Sequence, residues 1–209
     1  MRSEDRSALD ALERRLSEES GPDAAAFARA RRALAERAAA AGLVDVAFER
    51  HETPLGALVL GATAEGLVRV GLPNEPEEAV LEELAARVSP RVLRAPRPSL
   101  ARVRRELDEY FGGRRRRFEV PLDWRLTEGF RREVLFATAR IPFGRTASYA
   151  EVAASAGRPR AFRAAGSALA ANPLPIVVPC HRVLPGDGGV GRYRGGAEAK
   201  ARLLALERA

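Results

Sequence analysis

The spacing of apolar and polar positions along this 209-residue chain changes character twice. Residues 3–41 are dominated by Ala, Leu, Glu and Arg, and "SALDALERRL" places Leu9, Leu12 and Leu16 on one helical face. "SGPDAAAF" interrupts the pattern, so two helices are predicted, with Pro22 near the start of the second. From about residue 43 the runs shorten. "LVDVAFERHE", "GALVLGATA" and "GLVRVGLP" are β-rich and punctuated by turns, as in a meander. Helical spacing returns in "EPEEAVLEELAARV", whose acidic opening suits the positive end of a helix dipole, and in "SLARVRRELDEYF". "RRRRFEVPL" then reads as a strand behind four arginines, either a phosphate contact or, more commonly, a solvated strand end. "PLDWRLTEG" reads as a linker.

From residue 127 the pattern is helical again, in "TEGFRREVLFATARI", "TASYAEVAASAG" and "RAFRAAGSALAAN". The last two are short and joined by a tight Gly-containing turn, the signature of a helix-turn-helix. Thr146 or Ser148 is placed to cap the first of them, and Pro159 to occupy the first turn of the second. "PIVVPCHRVL", the turn "PGDGG" and "VGRY" predict a hairpin behind that unit, hence a wing, and "AEAKARLLALERA" a closing helix. The expected fold is a helical extension over 1–43, a small α/β domain with its linker over 44–125, and a mainly α winged helix-turn-helix domain over 126–209.

Charge bears on the partner. Residues 1–44 carry 8 basic and 8 acidic side chains and residues 45–125 carry 14 of each, whereas residues 126–209 carry 13 basic and 6 acidic. The whole net charge of +7 therefore lies in the last domain, which points to a polyanion, most often nucleic acid. Arg outnumbers Lys 34 to 1, a bias that accounts for the choice of cation and not for its placement. The second helix of the pair, "AFRAAGSALAAN", is nearly all Ala, Gly and Ser around a single Arg163. A helix that reads the major groove carries several long polar side chains. Small residues instead permit the close approach that the minor groove demands, with Arg163 able to replace a displaced base. The same composition fits a buried, tightly packed helix equally well.

One cysteine excludes an internal disulfide and a Cys-cluster zinc site, and His51 and His181, 130 positions apart, make a histidine metal site unexpected. The charged N-terminus has no apolar core, so no signal peptide is expected, and no apolar stretch approaches a membrane span. A soluble, cytosolic protein in a reducing compartment follows. Cys180 and His181 adjoin in "NPLPIVVPCHRV". Taken alone, a lone cysteine reads as a small buried apolar residue. Beside a base it becomes a nucleophile, because only the thiolate attacks. In an extended strand the two side chains would face opposite ways, so contact requires a bend, which Pro179 makes plausible, or a bridging water. An orienting carboxylate must come from Glu128, Glu133, Glu151, Asp187, Glu198 or Glu207.

"NPLPIVVPCHRV", "GGVGRYRGG" and "AKARLLALE" together resemble the active-site region of the O6-alkylguanine-DNA alkyltransferases, the methylated-DNA–protein-cysteine methyltransferases. The resemblance runs from about 130 to 207 and more weakly over 45–125, where the family's N-terminal domain is ribonuclease H-like. It implies minor-groove binding of duplex DNA carrying O6-alkylguanine and flipping of the damaged base. It implies that Cys180 takes the alkyl group irreversibly, once per molecule and without a cofactor. His181 would act as base through a water, Glu207 would orient it, and Lys200 would stand near the cysteine. Tyr149 would rotate the nucleotide and protonate the leaving guanine, Arg163 would fill the gap in the duplex, and Asn172 would be the hinge. Ala161, Ala164, Gly166 and Ser167 would line the DNA face, and Pro175, Val183, Tyr193, Gly195 and Gly196 the base pocket. A monomer, associated with the nucleoid when on DNA, is expected.

Three departures stand out. Phe162 occupies a position where the family helix has a smaller residue. Arg194 follows Tyr193 where small residues are common, and would either narrow the pocket or contact a phosphate. Residues 1–43 lie outside the resemblance, and no cysteine-zinc sensor module is present. Two rival readings are a lesion-binding module with a silent Cys180 and a Cys-His hydrolase of small esters or amides. The basic last domain argues against the hydrolase.

Overall fold

The computed structural model describes residues 20–186 and 189–208. The expected helix carrying Leu9, Leu12 and Leu16, and Asp187 in the expected turn, lie outside the described residues. A first unit spans residues 1–43 and a second residues 44–209. Within the first, helix α1 runs Ser20–Ala40, with Pro22 in its opening turn as expected.

The second unit opens with a meander of β1 (Val46–Thr53), β2 (Gly56–Ala62) and β3 (Leu67–Gly71), antiparallel throughout. The β1–β2 turn closes through Thr53 Oγ1, which donates to the Gly56 carbonyl at 2.7 Å. Helix α2 (Glu77–Arg87) follows, then β4 (Val92–Leu93), then helix α3 (Pro98–Phe111). The sheet order is β3-β2-β1-β4, with β4 parallel to β1. Alternation sends successive side chains to opposite faces. Val46, Phe48, Val59 and Val68 pack with Val80 and Leu84 of α2. Leu58 and Leu60, equally buried, take the other face, where α3 lies against all three long strands.

One strand here was not expected, and one expected strand is absent. Strand β4 is too short for its pattern to show in the sequence. "RRRRFEVPL" is not a strand, because its amides are claimed by a buried carboxylate: Glu119 N and Val120 N donate to Glu106 Oε2 at 2.8 and 3.1 Å. The chain then passes along the edge of β3, where Leu67 N donates to Pro121 O and Asp123 N to Leu67 O, both at 2.8 Å. Gly66, at φ +149°, permits this approach, since a Cβ there would stand 2.2 Å from the Pro121 oxygen.

Helix α4 (Gly129–Ala139) leads to the two-residue strand β5 (Ala147–Ser148), helix α5 (Tyr149–Ser155) and helix α6 (Phe162–Ala170). Ser148 is the cap: its Oγ accepts from Glu151 N at 3.2 Å and its N donates to the Glu151 carboxylate at 2.6 Å, a capping box. Pro159 does not open α6, which starts at Phe162; it sits inside the turn closed by Ala161 N donating to Arg158 O at 2.9 Å. The wing also differs from the expected hairpin. Cys180–Arg182 form a single 3-10 turn, strand β6 is only Val183–Leu184, and it pairs in parallel with β5; residues 190–193 form no strand. Helix α7 (Gly196–Arg208) closes the fold. Among the described residues no helix is long and apolar enough to cross a membrane.

Candidate active site

The stretch from Asn172 to Cys180 is buried throughout. It is folded back on itself, with Val178 N donating to Leu174 O and Cys180 N to Val178 O, both at 2.8 Å. Ile176, at φ +73°, lies in the left-handed region that β-branched residues avoid. Asn172 ties the two ends together. Its Oδ1 accepts from Leu174 N at 3.0 Å, and its Nδ2 donates to Val178 O at 2.9 Å and to Cys180 Sγ at 3.1 Å. The arm is also anchored to the sheet, where Val70 N of β3 donates to Pro173 O at 2.8 Å.

Cys180 is 6 % exposed. Burial pushes its thiol up, outweighing the Asn172 hydrogen bond and the Lys200 charge that pull it down. The resting sulfur is therefore a thiol. The 3-10 turn supplies the bend that an extended strand lacks. His181 is fully buried and its Nε2 lies 2.9 Å from Glu207 Oε1. Donation from Nε2 to the carboxylate leaves Nδ1 as the acceptor, and this buried atom has no hydrogen-bond partner among the described residues. Burial lowers the histidine's proton affinity despite the Glu207 contact, so the ring is neutral at rest.

Glu207, on α7, gathers a cluster. Arg182 grips both of its oxygens at 2.8 Å, Tyr110 Oη donates to Oε1 at 2.7 Å, and the Gly144 amide donates to Oε2 at 3.2 Å. Burial works against the anion, but these donors and His181 hold its carboxyl well below the usual range. Of the six candidate carboxylates, Glu207 alone is placed on His181 in the described structure. Lys200 is fully buried and donates to Val183 O at 2.7 Å.

Helix α6 and the segment before α7 carry most of the residues expected at the DNA face and pocket. Helix α6 buries Ala165, Ala168 and Leu169, and exposes Arg163, Ala164 and Ser167, with Ala161 and Gly166 half-buried. The tightly packed reading of its composition thus holds for one face, and the other face is left exposed. Tyr149 is half-buried between α6 and the loop before α7: a Cβ on Gly166 would lie 3.7 Å from its ring, and one on Gly191 3.4 Å from its hydroxyl. The Tyr193 ring meets His181 edge-on, 6.4 Å between centroids. Pro175 and Val183 are buried, and Gly195 is pinned between Tyr193 and Leu72, with no room for a side chain. Gly196, at φ +86°, starts α7.

Arg194 takes a different role from either use expected of it. Its guanidinium pairs with Glu75 at 2.8 Å, and its carbonyl accepts from Asn74 Nδ2 at 2.8 Å. Phe162 is 48 % exposed, with the Arg163 guanidinium 5.8 Å from its ring centre. Sequence reasoning missed Arg182, although it belongs to the Pro-Cys-His-Arg motif. It also missed Tyr110, Asn74 and Glu75, which reach the site from far along the chain and carry no local signal.

Two family models match. The ribonuclease-like domain of 6-O-methylguanine DNA methyltransferase covers residues 46–124, and the DNA-binding domain of the same enzyme covers residues 129–209. The constitutive methylated-DNA–protein-cysteine methyltransferase of Bacillus subtilis is 39 % identical over 162 residues, 77 % of this chain and 94 % of that one. The inducible enzyme of the same organism is 39 % identical over 149 residues, covering 71 % and 83 %. The Mycobacterium tuberculosis OGT crystallised in complex with DNA superposes with a TM-score of 0.65 and 31 % identity, over 77 % of this chain and 92 % of that one. Both halves of the second unit, the buried Cys180 and its partners thus lead to one conclusion: the chain belongs to the methylated-DNA–protein-cysteine methyltransferase family.

Proposed function

We propose that this protein repairs alkylated duplex DNA by moving the alkyl group from O6 of guanine to Cys180 Sγ, once per molecule. The observation that carries this reading is the sulfur itself, buried, held by Asn172 and followed in the same turn by a neutral His181 on Glu207. Residues 126–209 bind the DNA, with the exposed face of α6 in the minor groove and Arg163 in the place of the flipped base. His181 Nδ1 takes the thiol proton through a water. Sγ attacks the alkyl carbon in line, the C–O6 bond breaks, and its electron pair stays on the guanine. Tyr149, whose hydroxyl burial keeps protonated, supplies a proton to the departing base. Glu207 remains an anion throughout and stabilises the imidazolium. A thioether has no ready leaving group, so the reaction stops there, with no cofactor in any step. The protein is a monomer in solution on this reading.

Intact-protein mass spectrometry after incubation with a duplex containing one O6-methylguanine tests this directly. The expected result is the mass of one methylene, localised to Cys180 and never exceeding one per chain. No mass change with the duplex still bound would leave a lesion-binding protein instead. Affinity for the duplex is expected to fall steeply with salt, log K losing about 0.9 per decade of salt for each phosphate contacted. A flat response in a fluorescence-anisotropy titration would count against the phosphate contacts.

A further inference from the structure

The cluster around Glu207 comes from the C-terminal domain with one exception. Tyr110 stands in the last turn of α3, against the sheet, and is fully buried. Its hydroxyl donates to Glu207 Oε1 at 2.7 Å. That is the oxygen that also receives His181 Nε2 and Arg182 Nη2, at 2.9 and 2.8 Å. Oε2 is occupied by Arg182 Nε and Gly144 N.

We propose that Tyr110 is a positioning residue of the transfer reaction, acting through Glu207 on His181. The proposal rests on the assignment of Cys180 and His181 above. Hydrogen bonds to a carboxylate favour its charged form and draw electron density from it. Tyr110 therefore weakens the pull of Oε1 on the imidazole. The ring is oriented, yet is not held as imidazolium before the reaction begins. A base that must accept a proton from a thiol near neutral pH has to start neutral.

Other groups act on His181 as well. Arg182 shares its turn, Lys200 approaches from α7, and both cations oppose an imidazolium. The Tyr193 ring lies 6.4 Å away between centroids, helix α4 packs against the same turn, and Tyr149 is electrostatically coupled to the neighbouring Cys180. Tyr110 adds to the sense of the two cations from the other domain. Burial, and then the Glu207 charge, keep its own phenol protonated, so it remains a donor across the working pH range.

Packing alone does not explain the hydroxyl. The ring lies among Phe111, Phe118 and Phe143, at centroid distances of 5.3, 5.3 and 6.1 Å, where a phenylalanine would serve. Tyr110→Phe keeps those contacts and leaves Oε1 with two donors. If the hydroxyl only filled space, the rate profile would not move.

The test is the rate of methyl transfer from an O6-methylguanine duplex, followed from about pH 5 to about pH 9, across the range in which a histidine titrates. With Tyr110→Phe the acidic limb is expected to move up by about half a pH unit, a roughly threefold slower transfer on that limb with the plateau kept. Replacing Tyr110 by 3-fluorotyrosine, a stronger donor of nearly the same shape, is expected to move the limb down. It also provides the test should the phenylalanine variant fail to fold. A limb that stays in place overturns the proposal, whatever happens to the plateau. Absence of any transfer by the wild-type protein would instead overturn the function assigned above.

Discussion

A Cys180→Ser variant is expected to take up no methyl group while folding and binding DNA like the parent protein. The exchange keeps the size of the side chain close to the original. It also keeps an acceptor for Asn172 Nδ2, now 3.1 Å from Sγ, so no buried donor is orphaned. What is lost is the nucleophile. Proton removal by a neutral imidazole is within reach for a thiol and far out of reach for an alcohol, whose oxygen is also a poorer attacker of an alkyl carbon. Mass spectrometry should show no adduct, and anisotropy with the lesion-bearing duplex should show binding within about twofold of wild type, since surface contacts are untouched. A methylated serine variant, with the adduct at another residue, would remove Cys180 from the chemistry.

The second large effect belongs to Glu207. Glu207→Gln is expected to destabilise the fold by about 3–5 kcal/mol, because Arg182 would be left as a buried charge without its partner. For a domain of this size that corresponds to a fall of about 10 °C in the thermal midpoint. Transfer should fall too, since the amide can turn its nitrogen toward His181 and reverse the ring's tautomer. The pH dependence has a definite sign. The carboxyl of Glu207 lies below its ordinary value of 4.5 in the folded protein. Its stabilisation is therefore complete above about pH 4.5 and is lost as pH falls toward the folded value. The gap between wild type and variant, read by thermal unfolding, should be full at neutral pH and narrow under acid. Equal midpoints at neutral pH would sink the idea that this carboxylate holds the site together.

Much of this site can be read from one stretch of sequence because its central residues are neighbours in it. Asn172, Cys180, His181 and Arg182 lie within eleven positions, and their hydrogen bonds close over short loops. Glu207 was identifiable through the resemblance, at a fixed distance along the last helix. Tyr110, Asn74 and Glu75 were not, since their partners lie 97, 120 and 119 positions away and nothing local marks them. The misread elements have the same origin. "RRRRFEVPL" has strand-like composition, but Glu106 satisfies its amides in place of a neighbouring strand. The hairpin behind the helix-turn-helix failed because Pro179 and the turn at Cys180 redirect the chain, so Val183 pairs with Ala147 instead. Capping chemistry is local and was partly legible: Ser148 was one of two caps the sequence offered, and Glu151 three residues on completes the box.

A molecule used once must also wait. Peroxide, glutathione and metal ions all react with exposed thiolates. Cys180 meets them as a protonated sulfur, almost wholly covered, with no second cysteine in the chain to trap it as an internal disulfide. On the proposed assignment of Cys180 as the acceptor, the burial that makes the sulfur a poor nucleophile at rest therefore also sets its shelf life.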